Sequence, residues 1–485
     1  MSGLWPDTVP CSRKMKKILV LLVLFALFCS NAVFAAENLW EWSPYRICIQ
    51  IDMSQDALIK LGFDDREQIN SFIASHLPQV AENWVGGLWN ITVRDGSFPN
   101  TLFQANMLAD SVHLDNPALK DIIGSEFDKI VYLFLDGSQT GIAVIHAKEL
   151  DVRTLYVAGH SSVDVRHQSF LIDSVFDAIW GSFAPVASID QVHGSRVILR
   201  LLGGELMNLK RHDVGFEPSV SPDDVFITYS RAFDKTGKLI AVTPIPWTAL
   251  VVQKCEGSSV ECELESGIRF SLTSRKRGRS EQIAILPRLQ AHPTRLVLHS
   301  RILPQTDDSI ESTREKRIKF LTNYQISEKR SEKYEILGTT DVFGSIVIPY
   351  LEGEPIRTLY IRQGDVLVAK LPLVQGFKPE IPVAIPDDEI RIAAEGRLIG
   401  IQEEVIDLVA RKEILTTRID KLSQQPASQA LDTARREMDR LKNQQYYIAL
   451  LAAEKLRYRS PDPLVQRRID IMFENTRKII TEFMR

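Results

Sequence analysis

Three catalytic signatures are missing from this 485-residue chain. It has no Gly-x-Ser-x-Gly elbow, no phosphate-cradling Gly-rich loop ahead of a helix and no His-Glu-x-x-His. That excludes the nucleophile, nucleotide and zinc sites those motifs build. A basic surplus is missing too. The formal charge is -4, and residues 1–35 carry Arg13, Lys14, Lys16 and Lys17 against Asp7, so the remainder stands near -7. A mildly acidic body lacks the concentrated basic face that nucleic acid requires. After Phe28 no stretch approaches the ~20 apolar residues of a membrane helix, so no transmembrane segment is expected in the mature chain.

Cysteine is scarce, at five residues. Cys11 and Cys29 fall in the leader, which leaves Cys48, Cys255 and Cys262. Cys255 and Cys262 flank a turn between two strand-like runs. They suit either a hairpin disulfide in an oxidising compartment or two separate buried thiols. Cys48 reads as a small buried strand residue.

What is present at the N-terminus has the form of an export signal. Lys14, Lys16 and Lys17 precede an apolar run from Ile18 to Phe28, and Val33 and Ala35 suit a cut after Ala35. Met15 is a natural alternative start. Phe28 before Cys29 argues against a lipoprotein cut, and the run is short for a retained anchor. Hydrophobic residues at 45% and charged residues at 25% are ordinary for globular protein. At this length the chain should divide into several domains.

Residues 36–215 read as an α/β domain. Tyr45, Ile47, Ile49 and Ile51 alternate as one face of a strand. Asp64 or Asp65 can cap a helix carrying Ile69, Phe72 and Ile73, which Pro78 bends or ends. Trp89–Val93 is a short strand, and Ile130–Leu135 suits a central strand buried on both faces. Thr154–Val157 reads as another strand, and Leu171, Val175, Ile179 and Phe183 as a helix stopped by Pro185. Residues 216–305 read as all-β, with runs at Val225–Tyr229, Thr248–Val252, Ile268–Leu272, Ile283–Leu286 and Arg295–Leu298. Residues 306–330 are polar and charged and read as a linker or an exposed strand pair. Residues 331–385 read as a second β unit, with Thr358–Ile361, Val366–Ala369 and Ile381–Val383 as strands.

Residues 386–485 are helical. Leu398, Ile401, Val405, Leu408, Leu415, Ile419 and Leu422 recur at three- and four-residue steps, broken only by Lys412. The helix from Asp388 to Leu422 would span about 50 Å, and its stripe must be covered. A second helix carries Leu431, Ala434, Met438, Leu441, Ile448 and Ala452. A third, capped by Asp462 with Pro463 at its first position, carries Ile469, Met472, Phe473, Ile480 and Phe483. The expected fold is therefore multidomain α+β: an N-terminal α/β domain, two small all-β domains (sandwich or barrel) and a C-terminal antiparallel helical hairpin or coiled coil.

Thr340-Asp341-x-x-Gly344 followed by a strand resembles the carboxypeptidase-regulatory-like sandwiches of exported bacterial proteins, which implies a non-catalytic spacer or binding module. Trp40-Glu-Trp42-Ser-Pro-Tyr45, Asp224-Val-Phe226, Ile245-Pro-Trp247-Thr, Thr340-Asp341 with Gly344, and Leu371-Pro-Leu373-Val-x-Gly376 together resemble large exported proteins of planctomycete-type bacteria. That resemblance implies export and domain order and supplies no active site.

His160, Asp164 and His167 could present three metal ligands on one helical face. The simpler reading makes Gly159-His-Ser-Ser a turn and Asp164 a helix cap. Asp64-Asp65 and Asp223-Asp224 read as caps and turns rather than acid/base dyads. Arg275, Lys276, Arg277 and Arg279 could touch an anionic surface, and read more simply as a solvated hairpin loop. Asn90-Ile-Thr92 matches a glycosylation acceptor within a strand, and Trp40 and Trp42 read as packing residues. No catalytic residue, cofactor or nucleic-acid partner is implied. The expectation is an exported, periplasmic or extracellular scaffold that meets a protein partner or itself through residues 388–485. The alternatives are a hydrolase, a carbohydrate-active enzyme or a ligand-binding receptor with its site in residues 36–215.

Overall fold

A computed structural model describes residues 40–94, 126–139, 141–208, 220–267, 272, 279–301, 319–330, 333–424 and 429–484. It is a multidomain α+β protein with several sheets, one of them a six-stranded barrel, and a helical C-terminal region. The chain divides into two compact units. The first takes residues up to Ala291 with Leu351–Ile356 and Pro372–Phe377, and the second takes the remainder.

In the first unit, strand β1 (Tyr45–Met53) is followed by helices α1 (Gln55–Leu61) and α2 (Arg66–Val85), then by β2 (Trp89–Arg94), β3 (Lys129–Asp136), β4 (Ala143–Asp151) and β5 (Ser161–Val165). They form one sheet in the order β2-β1-β3-β4-β5, with β1 parallel to β2 and β3, and the β3/β4 and β4/β5 pairs antiparallel. Side chains alternate across the pleat. Ile47, Ile49, Val131 and Leu133 join the core shared with the helices, while Cys48, Ile130 and Tyr132 fill the other face. Helix α3 (Leu171–Ser182) packs on β4, β5 and α2 through Leu171, Val175 and Ile179.

Two local departures from expectation have clear causes. Helix α2 runs through Pro78 because the proline is exposed while Ile69, Ile73, Leu77, Ala81 and Val85 keep one continuous buried stripe. That burial outweighs the ~3 kcal/mol an interior proline costs. Residues 152–154 form a turn, because Asp151 accepts hydrogen bonds from Thr154 N at 2.7 Å and Thr154 Oγ1 at 2.6 Å. The edge strand is instead β5.

The barrel contains β6 (Val186–His193), β7 (Arg196–Leu201), β8 (Val225–Phe233), β9 (Leu239–Glu256), β10 (Ser259–Ser266) and β11 (Ser280–Ile285). Its closed order is β10-β7-β6-β11-β8-β9, which leaves no free sheet edge. Val197, Leu199, Phe226, Leu250, Val252, Val260 and Ala284 line its core. A short helix, α4 (Gly204–Asn208), follows β7. Val186–Leu201, read as the end of the α/β segment, thus supplies two barrel strands. The Ile268–Leu272 run lies outside the described residues except for Leu272.

In the second unit, β12 (Thr294–Ser300) pairs antiparallel with β15 (Ser345–Ile348) and parallel with β18 (Glu380–Ile385). A four-stranded sheet runs β14 (Lys333–Thr339), β13 (Gln325–Arg330), β16 (Ile356–Gln363), β17 (Val366–Val374). The Arg295–Leu298 run, read with the preceding β segment, belongs here. Four helices follow: α5 (Glu389–Ser423), α6 (Gln429–Asp439), α7 (Gln444–Arg457) and α8 (Pro463–Phe483). Ala394, Leu398, Ile401 and Val405 of α5 share a core with Tyr447 and Leu451 of α7 and Val465, Ile469, Phe473 and Ile480 of α8. Asp462 caps α8, accepting from Leu464 N at 2.9 Å, with Pro463 next in the chain. The expected second helix is split at 440–443, where Asn443 accepts from Tyr446 N at 2.9 Å and starts α7. Asp388 occupies the N-cap of α5 without capping it through its side chain, which instead accepts from Arg391 Nε at 2.5 Å.

Candidate functional site

The first unit holds a polar cavity of about 420 Å³. His160 borders it just ahead of β5, Asp223 and Asp224 just ahead of β8, and Leu286–Gln290 just after β11. The β8/β11 register, with Ile227 opposite Ile285, brings the start of one strand beside the end of the other. Two ties hold the aspartate turn: Asp223 N donates to Val252 O at 2.9 Å, and Val252 N donates to Asp224 O at 2.8 Å. Asp223 has φ 69°, a left-handed conformation that Asp tolerates better than most residues. Asp224 Oδ2 accepts from Ser221 N at 2.7 Å, and burial raises its carboxyl above the usual range against the pull of that bond and of Arg288.

Arg288 is the cavity's cation. Its Nε donates to Phe183 O at 2.8 Å, and neither Nη has a hydrogen-bond or ion-pair partner among the described residues. Burial lowers its guanidinium below the usual arginine range, with Glu149 and Asp224 opposing. Gln290 N donates to Gly376 O at 3.1 Å, fixing the far wall. Gly376 has φ 71°, and a Cβ there would lie 2.1 Å from Gln290 O, so glycine is required in the Leu371–Gly376 landmark.

Near the cavity residue Arg288, Phe183 leads into a wholly buried charge cluster. Lys129 Nζ lies 2.7 Å from Glu149 Oε1 and 2.9 Å from Asp151 Oδ2, and it also donates to Ala184 O at 2.5 Å. Burial pulls the Lys129 ammonium down, but Asp151 and Glu149 outweigh it and hold it above the ordinary lysine range. Burial pushes the Glu149 carboxyl up to about 7. Two carboxylates about one ammonium leave an excess negative charge that a proton on Glu149 removes.

Of the three proposed metal ligands, His160 Nε2 lies 2.8 Å from His146 Nδ1, and the rings stack with centroids 4.9 Å apart. Burial, then the charges of His146 and Lys148, hold His160 below the usual imidazole range. Asp164 lies in β5 opposite Val144, so it is not a helix cap. His167 takes the cap instead, accepting from Ser169 N at 3.2 Å ahead of the 3-10 turn Gln168–Phe170. Among the described residues no group of three or more His, Cys, Asp or Glu side chains is placed to hold a metal ion. Ser161 and Ser162 are strand residues, and the imidazole of His160 is engaged by His146.

Cys48, Cys255 and Cys262 are free thiols. On the β9/β10 hairpin Cys255 stands opposite Val260 and Cys262 opposite Val252, so the two are offset along the ladder rather than facing each other. Burial pushes Cys262 up to about 12 and Cys48 up to about 11, which keeps both in the unreactive thiol form. Asp65 caps α2 by accepting from Gln68 N at 2.8 Å, while Gln68 Oε1 accepts from Asp64 N at 2.8 Å. Arg275, Lys276 and Arg277 lie outside the described residues, and Arg279 O accepts from Phe233 N at 2.8 Å at the start of β11. Trp40 Nε1 donates to Arg200 O at 3.0 Å, and Asn90 is exposed on β2.

In the second unit the Thr340-Asp341-x-x-Gly344 motif builds a turn. Asp341 Oδ1 accepts from Phe343 N and Ser345 N, both at 2.8 Å, and Thr340 Oγ1 donates to Leu321 O at 2.8 Å. Helix α5 carries a second apolar row on the side away from its covered one. Ile399 is 50% exposed, Ile406 61% and Ile414 67%, whereas Leu398, Ile401 and Val405 are at most 4% exposed. A groove of about 630 Å³ between the second half of α5 and the end of α8 is bordered by apolar Leu408, Leu441 and Phe483 and by polar Lys412, Glu413 and Lys442 among others. No described helix is long and apolar enough to cross a membrane. No protein-family model matches the chain, and no curated protein sequence matches it.

Proposed function

We propose that this is an exported envelope protein acting as a non-enzymatic scaffold or adaptor, holding a protein partner or a second copy of itself through residues 388–485. The observation that carries the reading is the exposed row Ile399, Ile406 and Ile414 on α5. Its steps of seven and eight residues keep it on one side of a helix. Covering the exposed part of each of these side chains would contribute about 1–2 kcal/mol. An antiparallel hairpin of α5 against α6 and α7, with α8 alongside, would present that row on a rigid support.

The hydrolase or carbohydrate-active alternative places its site in residues 36–215, but the cavity's charged members, Asp223, Asp224 and Arg288, lie beyond that range. The scaffold reading is tested by affinity capture from the native envelope. Wild-type chain is compared with a variant carrying Ile399→Glu, Ile406→Glu and Ile414→Glu. A stoichiometric partner, or untagged self, recovered with wild type and lost with the variant is the expected result. Equal recovery with both would remove the helix face as the docking surface.

A further inference from the structure

The cavity beside Arg288 has an unusual charge arrangement. A guanidinium and two carboxylates border one space of about 420 Å³, and no ion pair joins Arg288 to Asp223 or Asp224. An unpaired, half-buried charge is costly unless something compensates it, and both Nη groups of Arg288 are open to do so. The forked geometry of guanidinium matches a carboxylate in two parallel hydrogen bonds.

A simple anion would satisfy Arg288 but face two aspartates. A simple cation would suit the aspartates and leave both Nη groups of Arg288 without an acceptor. We propose that this cavity binds a small zwitterion, a free α-amino acid, with its carboxylate on Arg288 and its ammonium on Asp223 and Asp224.

The volume falls within the range of about 300–1,000 Å³ usual for small-molecule sites. Backbone ties at Val252 and Gly376 hold both walls, so the site is formed before the ligand arrives. His160, kept below the usual imidazole range by burial, adds a neutral polar edge at physiological pH. This site is independent of the α5 face and stands whether or not a protein partner docks there.

The test is a titration of the full mature chain with each common L-amino acid, read by calorimetry and thermal shift. Propionate and ethylamine serve as single-charge probes. At least one amino acid should bind, and propionate and ethylamine should bind far more weakly. Arg288→Gln should weaken binding by about thirtyfold or more, the loss typical of removing one partner of a buried charge pair. Asp223→Asn tests the other end without disturbing the fold, because Asn tolerates the same left-handed backbone, and it too should weaken binding. Three results would overturn the proposal: no amino acid binds, propionate binds as tightly as the best amino acid, or affinity survives both substitutions.

Discussion

Lys129 Nζ stands 2.7 Å from Glu149 Oε1 inside the first unit, and neither side chain reaches solvent. Glu149 Oε2 has no hydrogen-bond partner among the described residues. Removing the cation leaves two buried carboxylates, so Lys129→Met should destabilise by about 3–5 kcal/mol. Glu149→Gln should cost much less, because Asp151 remains as a one-to-one partner. Chemical denaturation of both variants checks the ordering, and equal losses would contradict it.

The same cluster sets a pH dependence. Glu149 titrates near its ordinary 4.5 when unfolded and at about 7 in the fold, so between those values the folded state holds the extra proton. Stability from this group is full below about pH 4.5 and declines as pH rises toward 7. The melting temperature of wild type should carry this downward component, and Glu149→Gln should lose it. An identical pH profile for the two proteins would contradict the assignment.

Much of the first sheet was legible in the sequence. Ile130–Leu135 reads as a strand buried on both faces, and β3 is indeed interior, between β1 and β4. β5 was not legible, because an edge strand with only Val163 and Val165 turned inward gives a weak alternation signal. The barrel strands at Val186–Leu201 alternate clearly, but alternation names no partner, so nothing local shows that β6 pairs with β11 far along the chain. The cavity escaped for the same reason: Asp224 and Arg288 converge only through the β8/β11 register. The metal spacing of His160, Asp164 and His167 assumed a helix where the chain is a strand followed by a 3-10 turn.

Gly344 and Gly353 separate backbone strain from steric conflict. Both have positive φ, 67° and 80°, but a Cβ at Gly344 would lie 2.3 Å from Leu298 O, whereas one at Gly353 meets nothing within 4 Å. Gly353→Ala should cost about 1 kcal/mol from the left-handed backbone alone. Gly344→Ala should cost clearly more, since the backbone at Leu298 has to move. Thermal denaturation decides this, and equal costs would contradict the packing described.

Neighbouring positions on α5 make an equally sharp pair. Val405 is 4% exposed and Ile406 is 61% exposed. Val405→Asp buries a charge in the helical core and should cost about 3 kcal/mol or more, lowering helicity by circular dichroism. Ile406→Asp should leave helicity and melting within about 0.5 kcal/mol of wild type.

The scaffold reading depends on what covers Ile406 in the cell, and site-specific photo-cross-linking addresses that directly. A photoreactive side chain would be placed at Ile406, at buried Val405 and at exposed Lys235 on the barrel, and each irradiated in the native envelope. A discrete adduct from Ile406, absent from Lys235 and Val405, is the expected result. No adduct from Ile406 above that of Lys235 would contradict a docked partner on α5.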